Sequence, residues 1–111
     1  MTDPAAATAD AAATADAAVV TVDGRALATW DGFHDAMARA FAFPAYYGRN
    51  LDAWIDCMSD RDALTVLDLD HADAVPAAIL HALVECAAFV NWRRRERGAP
   101  ARLMLAFHRA P

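Results

Sequence analysis

The stretch Phe43-Pro44-Ala45-Tyr46-Tyr47-Gly48-Arg49-Asn50-Leu51-Asp52-Ala53-Trp54-Ile55-Asp56-Cys57-Met58 contains both a helix stop and a helix start. Pro44 disfavours helical backbone at Phe43, so a preceding helix must end there. Gly48 offers a positive φ that other residues resist. Asn50 is a good N-cap, because its side-chain oxygen can accept a bond from an otherwise unpaired amide. From Leu51 onward the helical period puts Leu51, Trp54, Ile55 and Met58 on one apolar face. Asp52, Asp56 and Ser59 fall on another. The stretch predicts a short helix with an outward acidic row, preceded by a tyrosine-rich loop beside the same surface.

Asp52 and Asp56 are one helical turn apart, where like charges repel by a few tenths of a kcal/mol. The helix dipole favours Asp52 in the first turn and helps Asp56 much less. Two readings fit this pair. One is a solvated helix face; the other is a compact negative patch, rimmed by tyrosines, for a basic partner. Periodicity does not choose between them.

On the N-terminal side, Val19-Val20-Thr21-Val22 reads as a strand that turns at Asp23-Gly24. Asp31 is the expected cap of a helix from about Gly32 to Ala42. Phe33, Met37 and Phe41, with Trp30 just ahead of the cap, make one broad core face. His34 lies beside that stripe, where a histidine is more often structural than a ligand or catalyst.

On the C-terminal side, Leu64–Leu69 reads as the second strand. Pro76 suits a helix start, and Ile79, Leu80, Leu83, Val84 and Ala87 form its core stripe. The helix can run past Phe89, Val90 and Trp92 toward Arg95, with Gly98 as terminator. The run Arg93-Arg94-Arg95-Glu96-Arg97 is a solvated C-terminal turn favoured by the dipole, or else a nucleic-acid contact. Ala101–Phe107 is the last strand. Strands separated by helices argue for crossovers. The expected fold class is α/β, a three-stranded parallel sheet packed with helices and exposing the acidic helix.

A chain of 111 residues that is 58% hydrophobic suffices for one core. Residues 1–18, which repeat AAATAD, offer no stripe to pack and read as a mobile acidic tail ahead of a single domain over 19–111. The tail is a poor secretory signal, and no stretch reaches the roughly 18 apolar residues of a membrane span. Net charge is −5 and every basic residue is arginine, which argues against nucleic acid as partner. Cys57 and Cys86 lack a second pair for zinc and read as free thiols in a reducing cytoplasm. No phosphate loop, metal cluster or nucleophile motif is evident, so neither cofactor nor metal is expected. Asp52, Asp56 and His34 are the nearest approach to an acid–base site. Exposed carboxylates suit proton transfer near neutrality poorly, so the reading is not an enzyme.

The string Pro44 to Cys57 resembles the motif of the barstar family, small intracellular inhibitors of barnase-type ribonucleases. The resemblance runs back without a gap to Val19, taking in Asp23-Gly24 and His34, and more loosely forward to Gly98. It implies the same fold and a protein partner, a small basic guanyl-type ribonuclease, bound by a chain that is a monomer when free. A cleft that holds a phosphodiester concentrates arginine, lysine and histidine, and an acidic helix can imitate the phosphate. By resemblance Asp56 is the central anion with Asp52 beside it. Tyr46 and Asn50 flank it, Tyr47 and Gly48 shape the loop, and Leu51, Ala53 and Ile55 line the patch. The chain departs from the family in three places: Arg49 stands for an acidic residue, Ile55 for a tryptophan, and, in the ungapped register, Arg93 for a glutamate. These changes imply a partner other than barnase itself. The rival reading is a barstar-like interaction module whose partner is not a nuclease.

Overall fold

The computed structural model describes residues 17–109, so most of the expected tail lies outside the described residues. Three strands, β1 (Ala18–Asp23), β2 (Thr65–Asp70) and β3 (Leu103–Phe107), alternate with helices α1 (Trp30–Ala40), α2 (Leu51–Ser59) and α3 (Ala77–Glu96). The strands lie in the order β1-β2-β3, and both pairings are parallel. This is the expected α/β architecture, reached because each β-branched run is followed by at least one helix that carries the chain back.

Register puts Val20 beside Leu67 and Val22 beside Leu69, while Thr65 and Leu67 sit beside Leu103 and Leu105. These residues share one face, since side chains alternate along a strand. Leu67 and Leu69 are fully buried there, against Phe33 and Met37 of α1, Trp54 and Met58 of α2, and Ile79, Leu83 and Val90 of α3. The opposite face, with Val19, Thr21 and Met104, is exposed. On that face Asp68 ties the strands together. It accepts a hydrogen bond from Thr21 Oγ1 at 3.2 Å, and its other oxygen lies 2.6 Å from His108 Nε2.

Several boundaries differ from expectation for local reasons. β1 begins at Ala18 because its amide donates to Leu64 O, 2.8 Å away, which takes this residue out of the tail. β3 begins at Leu103, not Ala101. Asn91 of α3 accepts from the amides of Arg102 and Leu103 and donates to Leu103 O, closing the strand entrance. α1 is capped by Thr29, whose Oγ1 accepts from Gly32 N at 3.0 Å, and Asp31 falls in the first turn instead. A one-turn 3-10 helix, Gly24–Leu27, follows β1, with Asp23 as its cap. A Cβ on Gly24 would overlap the carbonyls of Asp70 and His71, so only glycine lets the ends of β1 and β2 approach this closely.

The long helices end alike. Past α3, Gly98 has φ 78°, Ala99 N donates to Arg94 O and Gly98 N donates to Arg95 O, which is a Schellman motif. Past α1, Ala42 has φ 53° and Phe43 N donates to Ala38 O at 2.9 Å. The left-handed position there is filled by alanine, which costs about 1 kcal/mol or more. Ala42→Gly should therefore stabilise the fold by about 0.5–1 kcal/mol. Urea unfolding of both proteins measures this, and a lower midpoint for the variant would contradict it.

Trp30 and Val84, expected in the core, are substantially exposed, as are Phe89 and Trp92. Their helices offer wider apolar arcs than the sheet can cover.

Candidate functional site

The loop between α1 and α2 is held by aromatic packing. Tyr47 wedges between Phe43, at 4.7 Å between ring centroids, and His34, at 5.7 Å. Its amide closes a turn onto Pro44 O, and its hydroxyl lies 2.6 Å from His34 Nδ1. Burial pushes the Tyr47 hydroxyl up to about 12, so it stays protonated and can donate to a neutral imidazole. Burial, with the nearby Arg49 charge, pushes His34 below its ordinary 6.5. His34 is thus the structural residue its place beside the stripe suggested. Protonating it must cost more in the folded state than in the unfolded one, so stability is full above about pH 6.5 and falls as pH drops toward the lowered value. Thermal unfolding between pH 7.5 and 5.5 should show this slope, and His34→Gln should flatten it; identical slopes would rule it out.

The positive φ of this loop belongs to Arg49, at 54°, and not to Gly48. What holds an arginine in that conformation is a pair of carboxylates on α1. Its guanidinium lies 2.5 Å from Asp35 and 3.5 Å from Asp31. The positive charge of Arg49 is therefore balanced inside the chain. Asn50 caps α2 as expected, accepting from Ala53 N at 2.8 Å and donating to Gly48 O.

α2 presents Asp52 and Asp56 outward, and Trp54 and Met58 inward. Leu51, Ala53 and Ile55 are half-buried at its margins. Tyr46 is 87% exposed beside it. Ser59 departs from expectation. It is buried, because the end of α2 runs against α3. There Arg94, only 4% exposed, donates to Ser59 O and Arg61 O at 2.9 Å each and to Pro100 O at 2.9 Å. Arg97 adds a bond to Ser59 O at 3.0 Å. The arginine run is thus not a uniformly solvated turn: Arg94 is a clamp across three segments.

Arg93, the next residue back, reaches the site itself. Its guanidinium lies 2.7 Å from Asp56 Oδ1, with Arg93 36% and Asp56 65% exposed. Asp52, one turn earlier, remains at the surface. No local pattern announces the Arg93 contact, since 37 positions separate the pair.

Away from this surface, ligand atoms of Asp68, Asp70 and His108 lie within 4.8 Å of one another, a grouping that spacing did not reveal. Cys57 and Cys86 are free, and burial pushes both thiols up, away from the thiolate. No helix among the described residues is long and apolar enough to cross a membrane.

The two outward carboxylates of α2, the exposed Tyr46 and the pinned loop thus share one surface of the α/β frame. The family described as "Barstar (barnase inhibitor)" matches residues 17–106. The chain belongs to the barstar family. It is also similar to the Bacillus subtilis (strain 168) protein named "Putative ribonuclease inhibitor YrdF", at 42% identity over 40 residues. That match covers 36% of this chain and 44% of the relative, so the chain spans less than half of the relative's length.

Proposed function

We propose that this protein inhibits a small basic guanyl-type ribonuclease by seating the outer face of α2 in its active site. Asp56 stands for the substrate phosphate and Asp52 adds charge at the helix start. Tyr46 and Asn50 flank them, Tyr47 and Gly48 set the loop, and Leu51, Ala53 and Ile55 make apolar contact. The protein acts by occupancy and turns over no substrate itself. It works in the cytoplasm, as a monomer until it binds.

The observation that carries this reading is the outward Asp56, 65% exposed on a helix whose other face is anchored by fully buried Trp54. Little reorganisation is needed to present it, so little ordering cost opposes binding. Family membership supplies the class of partner.

Immobilised protein incubated with extract of its source cells tests the reading. Recovery of a small basic ribonuclease whose RNA cleavage the protein blocks is the expected result. A bound partner without nuclease activity would replace the reading with that of a general interaction module.

A further inference from the structure

The central anion of the recognition face is already occupied. Arg93 holds Asp56 at 2.7 Å, and both side chains remain partly open to water. At such a site an ion pair contributes little to folding, because water and salt screen it. In a dehydrated interface the same arginine has a large effect, since an unpaired or like-charged neighbour there is costly. Arg93 therefore matters to recognition far more than to the fold.

Its position is also fixed. Arg93 is followed on α3 by Arg94, whose side chain is buried and bonded to three carbonyls, so the backbone beneath Arg93 is held against the end of α2. The guanidinium can rotate from Asp56 but cannot leave the edge of the face. The other arginine near this surface, Arg49, is taken up by Asp31 and Asp35. Arg93 is thus the cation that an incoming basic group meets at Asp56.

We infer that Arg93 is a specificity-determining residue: it occupies the place of the partner's cation and bars basic clefts that offer its displaced guanidinium no acceptor. A partner that binds must supply a cation to Asp56 and also a carboxylate or carbonyl to Arg93. This rests on the inhibitor reading and defines which ribonucleases that reading admits.

The test uses purified barnase as a basic-cleft probe and measures inhibition of RNA cleavage by the full chain. The variants are Arg93→Gln and Arg93→Glu, each alone and combined with Asp56→Asn, with thermal unfolding confirming that all are folded. Arg93→Gln should inhibit barnase about tenfold more tightly than wild type, and Arg93→Glu more tightly still. Asp56→Asn alone should weaken inhibition, and Arg93→Gln added to it should restore a part, because Arg93 is then a bare cation facing the cleft. Equal or weaker inhibition by Arg93→Gln than by wild type overturns the role given to Arg93 while leaving the inhibitor reading intact. Failure of every variant to slow barnase overturns Arg93 as the barrier to this cleft, whereas the inhibitor reading falls only if the ribonuclease captured from source extract is not blocked.

Discussion

Asp56→Ala should weaken inhibition of the cognate ribonuclease by about 2–5 kcal/mol, chiefly through faster dissociation. Asp56 is 65% exposed and paired with Arg93, so its loss removes an exposed pair worth under about 1 kcal/mol. In the complex the loss is compounded. The partner's cations are left without their counter-charge, and Arg93 is left as a bare cation facing them. Asp52→Ala should cost less, because part of the Asp52 charge already serves the first turn of α2. Titration of the enzyme with each variant, alongside thermal unfolding, separates binding from folding. Undiminished inhibition by Asp56→Ala would remove the acidic-helix mechanism even though the fold is barstar's.

Arg94→Ala should be the most damaging change to the fold, at about 2–4 kcal/mol, while the recognition residues keep their identity. Three carbonyls, from Ser59, Arg61 and Pro100, lose a charged donor. Arg61 O and Pro100 O can turn to water. Ser59 O keeps only the Arg97 bond, at a buried position that water reaches poorly. The contact to Asp62 at 3.6 Å adds little, since that carboxylate is almost fully solvated. Arg94→Lys should recover only a part, because one ammonium cannot span three acceptors as the planar guanidinium does. Urea midpoints of the three proteins check this. A variant with wild-type stability would mean that the clamp is replaceable by solvent.

The strands and helices were legible because their evidence is local. Asn50 caps α2 as its side chain suggests, and the alternation of Leu67 and Leu69 with Val66 and Asp68 reports a half-covered sheet. The family resemblance along residues 44–57 is the source of the recognition face proposed for α2. What could not be read was every property set by distant partners. Arg49 takes the left-handed conformation because Asp31 and Asp35 await its side chain, which glycine at position 48 cannot exploit. Ser59 is buried by α3, and helical period alone assigned it to the acidic face. Thr29 outcompeted Asp31 as a cap because the helix starts two residues earlier than the charge pattern implies. The resemblance singled out Arg93, but nothing local separated it from Arg94, which is buried while Arg93 reaches Asp56 at the surface.

The sequential parallel order of the sheet has a consequence for how the chain reaches this state. Thr21 and Asp68, bonded across β1 and β2, are 47 positions apart, and β2 to β3 closes over another long segment. Among the described residues no hairpin is available to nucleate the sheet, and such non-local pairings are slow to form. During synthesis β1 emerges first, yet it has no strand to pair with until β2 has left the ribosome. Its valines must wait as an unpaired apolar segment, so nascent chains halted before residue 70 should be more prone to aggregation and proteolysis than finished ones. A chain of this topology cannot complete its sheet until β3, the last of the three strands in sequence, has been made.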